Sequence, residues 1–116
     1  MCGINCKIEN DEEILKINSP KDRCGGPYVV VYKSVEKRWA IVALDWDNEP
    51  MLAMRWFYST KGNPVSNFQP IWFIIPDMLY QAILNGLPLE YRFRDAINRF
   101  LAGEINGEDL KTIINH

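Results

Sequence analysis

Two stretches, Trp39–Trp46 and Met51–Tyr58, alternate between side-chain sets that are both largely apolar, and this constrains the fold more than any other feature. Successive residues of a strand point to opposite faces. One set comprises Ala40, Val42, Leu44 and Trp46 with Leu52, Met54, Trp56 and Tyr58, and it contains no charge. The other comprises Trp39, Ile41, Ala43 and Asp45 with Met51, Ala53, Arg55 and Phe57. A sheet with two such faces must be covered on both. Asp47-Asn48-Glu49-Pro50 supplies turn formers between the stretches, so they read as an antiparallel hairpin with a three- to five-residue loop. With the loop at Asp47–Met51, Ala43 stands opposite Arg55 and Asp45 opposite Ala53. Asp45 and Arg55 then become diagonal neighbours within reach of a salt bridge.

Around this hairpin the chain changes character at Pro76. Before it lie β-branched and aromatic runs: Tyr28–Tyr32 reads as a strand, and Pro70–Ile75 as another. After it, apolar residues recur at helical spacing. Pro76 fits the first helical position, with Leu79, Ala82, Ile83 and Leu87 facing inward and Gly86 closing the helix. A second helix from about Leu89 carries Phe93, Ile97, Phe100 and Leu101 on one stripe and ends at Gly103. Its Glu90/Arg94 and Asp95/Arg99 pairs have the i,i+4 spacing of a solvated face. A third helix is announced by Asn106 as N-cap with Asp109 in the capping-box position, and carries Leu110, Ile113 and Ile114. Residues 1–27 are polar and irregular, with a short candidate strand around Glu13–Ile17 and a loop at the Pro20/Gly25/Gly26/Pro27 cluster. They read as an arm or an edge strand. The order of elements predicts an α+β domain: a three- to four-stranded, mostly antiparallel sheet followed by two or three C-terminal helices packed on one face. The whole chain, 1–116, reads as a single domain. The second face falls to the N-terminal arm, a second copy of the chain or a ligand.

Charge and composition narrow the function classes. With 15 acidic and 13 basic residues and no block of like charge, nothing marks a non-specific nucleic-acid or anionic-membrane surface. No stretch reaches the ~20 apolar residues of a membrane helix, and the start has neither the basic nor the apolar region of a signal peptide. A cytoplasmic location is therefore expected, with no membrane and no nucleic-acid partner.

Catalytic constellations are equally sparse. Cys2, Cys6 and Cys24 have C-x3-C and x17 spacing, and the single histidine is His116. A tetrahedral zinc site wants a second ligand pair that this pattern lacks, so no metal is expected. Without an internal histidine there is no base for a nucleophilic triad. Asp45 and Asp47 share a face and could in principle act as an acid–base pair or grip a cation, but Asp-Asn after a strand is first of all turn chemistry. Lys61-Gly62-Asn63 precedes Pro64 and a strand rather than a helix, so it is no phosphate loop. The expectation is a chain that is no enzyme and uses no cofactor.

What remains is binding. Trp39, Asp45, Arg55 and Phe57 combine residue types enriched at interface hot spots, and Lys61 lies in the Ser59–Gln69 loop beside them. This set is expected to bind a protein partner or a second copy in a homodimer. If the loop folds over the same face, it would instead wall a small-molecule pocket with Asp45 and Arg55 as convergent polar groups.

At Trp39-Ala-Ile-Val-Ala-Leu-Asp-Trp-Asp-Asn-Glu-Pro, Arg55-Trp-Phe, Gly62-Asn-Pro and Trp72-Phe-Ile-Ile-Pro76, the chain resembles small uncharacterised proteins carried on integron gene cassettes and phage genomes. The resemblance spans residues 39–102. It implies a bacterial accessory protein of a mobile element, and it brings no activity and no site residues with it.

Overall fold

The computed structural model describes residues 8–58 and 61–115. In chain order these form α1 (Asp11–Leu15), β1 (Cys24–Ser34), β2 (Trp39–Trp46), β3 (Glu49–Trp56), β4 (Val65–Ser66), β5 (Gln69–Pro70), β6 (Phe73–Ile74), a 3-10 turn (Asp77–Leu79), α2 (Tyr80–Gly86), α3 (Tyr91–Leu101) and α4 (Gly107–Ile114). The main sheet has strand order β1-β2-β3-β6, every pair antiparallel, and β4 and β5 form a separate small hairpin. A four-stranded antiparallel sheet followed by C-terminal helices is the α+β architecture that the order of sequence patterns predicts.

The β2–β3 register differs from expectation, with consequences for every residue beyond it. Asp47 and Asn48 both take positive φ, 53° and 68°, and close a two-residue turn between Trp46 and Glu49. Asn and Asp tolerate this left-handed conformation, and its twist suits a tight hairpin. Asp45 consequently pairs with Pro50, Ala43 with Leu52 and Ala40 with Arg55. Ala43 thus meets Leu52 where Arg55 was expected, an odd slip of three positions that exchanges the two faces of β3. Asp45 and Arg55 lie on opposite sides of the sheet, and the expected salt bridge between them does not form.

Each face has its own cover. On one, Val29, Val31, Ile41, Ala43 and Leu52 pack against Tyr80, Leu84, Ala96, Ile97, Phe100 and Leu110 of the helices. On the other, Ala40, Val42, Leu44, Ala53 and Phe57 pack against Ile8, Ile14 and Trp72. The arm is therefore part of the core: Ile8 and Ile14 are fully buried. The strand expected at Glu13–Ile17 is replaced by α1, because the Asn10 side chain accepts a hydrogen bond from the Glu12 amide (2.9 Å) and three acidic residues fill the positive first turn. The Trp72 indole Nε1 donates to the Ile17 carbonyl at 2.7 Å and pins the arm to the segment before β6.

Three further expectations are corrected. Cys24–Pro27 is not loop but the start of β1, accommodated by register irregularities between Gly25 and Val29, with Gly26 at φ 81°. Only Phe73 and Ile74 of the Pro70–Ile75 run pair with β3. The first C-terminal helix starts at Tyr80 rather than Pro76, which turns Tyr80 and Leu84 inward, leaves Leu79 exposed, and makes Gly86 its last residue. The α3 stripe stands as read, with Ile97 and Phe100 buried and Phe93 and Leu101 packed beside them. Its arginines form no i,i+4 ion pair among the described residues, and Arg99 faces Glu104 at 3.7 Å instead. The Asn106–Asp109 capping box forms in both directions, at 2.8 and 3.2 Å.

Where α4 meets the sheet, Gly107 lies directly against the Tyr28 ring, and a Cβ there would overlap it. That ring is fixed by its hydroxyl donating to Asp45 Oδ2 (2.6 Å) and by edge contact with Phe100 at 5.8 Å. Gly86, by contrast, has open space where a Cβ would go. In urea denaturation, Gly107→Ala should destabilise the fold by roughly 1–3 kcal/mol through overpacking. Gly86→Ala should be neutral or stabilise by up to about 1 kcal/mol, as glycine in a helix costs about that much. Equal effects at the two sites would contradict this packing.

Candidate functional site

At the end of β3, alternation sends consecutive residues to different sides. Arg55 points to the arm side and is 1% exposed. The chain after β3 then folds back over it, and backbone pairing of Trp56 with Asn63 (Trp56 N to Asn63 O 2.7 Å, Asn63 N to Trp56 O 3.0 Å) stitches the returning segment to the strand. Three carbonyls of that segment converge on the guanidinium. Nη1 donates to Ile71 (2.6 Å) and Pro64 (3.1 Å), and Nη2 donates to Lys61. The Phe57 ring lies 5.2 Å from the guanidinium carbon. The turn that brings Lys61 into place passes through Gly62 at φ 67°, where a Cβ would overlap the Trp56 carbonyl and Arg55 Nη2. Only glycine fits there.

No ion pair to Arg55 forms among the described residues, and its Nε–H is buried with no acceptor. Burial without a counter-charge lowers its pKa to about 10, which leaves it cationic at neutral pH. Arg55 takes part in the walls of two depressions. One, of about 420 Å³, is an apolar groove also lined by Met54, Trp56, Asn63, Pro64 and Phe73. The other, of about 550 Å³, lies between arm residues Glu13–Lys21 and loop residues Lys61, Gln69 and Pro70.

Beside the groove runs a row of aromatic rings. Tyr32 and Trp39 lie 5.6 Å apart, Trp39 is register partner to Trp56, and Trp56 stacks on Tyr58 at 5.8 Å and 17°. Arg38 sits over Tyr58 at 5.8 Å, and the Tyr58 hydroxyl donates to the Lys37 carbonyl (3.1 Å). Trp56, Tyr58 and Phe73 are 39%, 46% and 54% exposed.

The residues expected to form one binding set are thus dispersed. Trp39 joins the aromatic row on the helix side. Asp45, at the other end of β2, is held by Tyr28. Phe57 is fully buried, edge-on to Trp72 at 6.5 Å. Arg55 and Lys61 do come together on the arm side. Asp47, the expected neighbour of Asp45, is turned away into a two-bond pair with Arg23 at 2.6 and 2.8 Å. Period-two alternation alone places Trp56 and Tyr58 on a core face and Phe73 in a strand. The signal for the placement of Trp56 is the Asp-Asn turn, whose two-residue length sets the β2–β3 register and so moves it to the helix side.

Cys24 is buried, and burial beside Asp45 pushes its thiol up to about 11, away from nucleophilic reactivity. Among the described residues no group of histidine, cysteine, aspartate and glutamate is placed to hold a metal; Cys2, Cys6 and His116 lie outside them. No helix among the described residues is long and apolar enough to cross a membrane. No protein-family model, no curated protein and no solved structure matches the chain.

Replacing Arg55 tests its role directly. Arg55→Met removes a buried charge but strands three carbonyls, each costing about 1–3 kcal/mol when left unsatisfied. The carbonyl cost should win, giving a loss on the order of 3 kcal/mol in chemical denaturation. Arg55→Lys keeps the charge without the planar fork and should fall between Met and wild type. A Met variant as stable as wild type would show that the carbonyls do not need the guanidinium.

Proposed function

We propose that this chain is a non-enzymatic binding module that pairs with a second copy of itself through the aromatic row at the end of β3. The single observation that carries this reading is the exposure of Trp56, Tyr58 and Phe73 together on one ordered edge of the sheet. Single exposed apolar residues are ordinary, whereas clustered rings beside an apolar groove have the composition of an interface centre. Tryptophan and tyrosine contribute large areas with few rotatable bonds, so burying them loses little conformational freedom. The groove formed by Met54, Pro64 and Phe73 offers a receptacle for a partner side chain. A twofold arrangement suits a patch built of Trp56, Tyr58 and Phe73, since homodimer interfaces are the more apolar class and cyclic dimers the commonest oligomers. The cytoplasmic setting and the mobile-element origin belong to the same proposal and rest on the sequence alone.

Sedimentation velocity over about 1–100 µM, a range that brackets micromolar affinity, is the test. The expected result is a concentration-dependent dimer. Trp56→Ala and Phe73→Ala should each weaken it by roughly 30-fold, the equivalent of a 2 kcal/mol hot-spot loss. A monomer at every concentration, or a dimer indifferent to both substitutions, would overturn the reading.

A further inference from the structure

The cleft on the arm side of Arg55 is not used by the dimer reading, and its chemistry is different. Its walls bring Lys16, Lys21 and Lys61 to the rim around Arg55, with Glu13 as the only acidic residue among those lining it. Four cations against one carboxylate stand out in a protein whose formal net charge is −2. Glu13 engages Lys16 at 2.8 Å. Lys61 donates one bond, to the Phe68 carbonyl at 2.5 Å, and an ammonium carries three donors. Lys21 forms no ion pair among the described residues.

Arg55 is the second, independent observation. It is 1% exposed, and among the described residues its charge is met by neutral carbonyls and a ring alone and its Nε–H has no acceptor. Of five guanidinium N–H groups, three bonds are made, so the donor set is incomplete. Buried charges are ordinarily paired, and no carboxylate among the described residues pairs with this one. The cleft is also preformed. Ser19 bridges to Ile71, and Trp72 holds the Ile17 carbonyl, so its two walls are tied together below the rim.

We propose that this cleft binds a small organic anion carrying at least two negative charges, of phosphate monoester or polycarboxylate chemistry, with Lys21 and Lys61 at the rim and Arg55 supplying the counter-charge from the wall. Both chemistries present oxygens that a guanidinium and ammonium groups recognise alike. The volume of about 550 Å³ suits a metabolite and is too small for a folded partner. The inference stands independently of self-association, since none of the aromatic-row residues lines this cleft.

The probes are inorganic phosphate and citrate, each titrated into the full chain at fixed ionic strength with sodium chloride as the reference, and the readout is the thermal unfolding midpoint. A ligand that binds only the folded state raises that midpoint in a saturable way. The expected result is such a rise with at least one probe and none with chloride. Phosphate alone assigns phosphoryl chemistry, citrate alone assigns carboxylates, and both together assign a general anion site. Lys21→Ala and Lys61→Ala should each weaken the apparent affinity roughly two- to fivefold, the scale of one exposed charge, while Lys111→Ala on α4 should leave it unchanged. No saturable rise with either probe, or a rise whose apparent affinity is unchanged in the Lys21→Ala/Lys61→Ala double variant with its fold intact by circular dichroism, would overturn the proposal.

Discussion

A guanidinium taken out of water has to find acceptors, and the rest of this structure follows from where Arg55 finds them. They are the carbonyls of Lys61, Pro64 and Ile71, three points on a segment with almost no regular structure of its own. Carbonyls turned inward to a buried cation cannot sit on a wandering loop. The segment is accordingly stitched to β3 at Trp56 and Asn63, kinked through Gly62, and delivers Trp72 into the core. One buried side chain thereby converts a polar stretch into a wall of the protein. It also separates an apolar groove from a cationic cleft, because Arg55 takes part in both.

The arm obeys the same logic from the other direction. β2 and β3 present apolar residues on both faces, and the helices can cover only one. Ile8 and Ile14 of the arm close the second, with Leu15 and Ile17 packed beside them, and α1 places Ile14 there. Trp72 completes the layer and, through its hydrogen bond to Ile17, makes arm and loop interdependent. The second sheet face is thus core, covered by the chain itself, and the apolar groove and the cationic cleft lie at the margins, where β3 ends and where arm and loop meet.

Much of this was legible in the residues. The period-two runs identify β2 and β3, the two-faced apolarity demands two covers, and the Asn106–Asp109 box announces α4 at its true start. Within the hairpin, what could not be read followed from one local choice. Whether Glu49 and Pro50 belong to the turn or to the strand is decided by Asp47 and Asn48 accepting left-handed backbone, and that choice fixes an odd or even register for all of β3. Arg55 moved to the arm face with it, away from Asp45, and Trp56 moved to the helix side. Alternation alone was silent about carbonyl ligands, because backbone oxygens from an irregular segment leave no pattern in side-chain types. Of Trp39, Asp45, Arg55, Phe57 and Lys61, to which the sequence points as one set, the fold brings Arg55 and Lys61 to one cleft and disperses the others.

The clamp around Arg55 ties residues 61–72 to the sheet through their backbone, so that this segment, most of whose side chains are exposed, opens only with the whole fold. Amide hydrogen exchange measured by NMR at Trp56, Asn63 and Ile71 tests it most directly. Their N–H groups bond to the Asn63, Trp56 and Pro64 carbonyls, within or directly against the clamped segment. Exchange for all three should be as slow as for Ala43 at the centre of β2, since core amides open only with the whole fold. Exchange of Asn63 and Ile71 near the rate of an unprotected peptide, with Ala43 still protected, would contradict it.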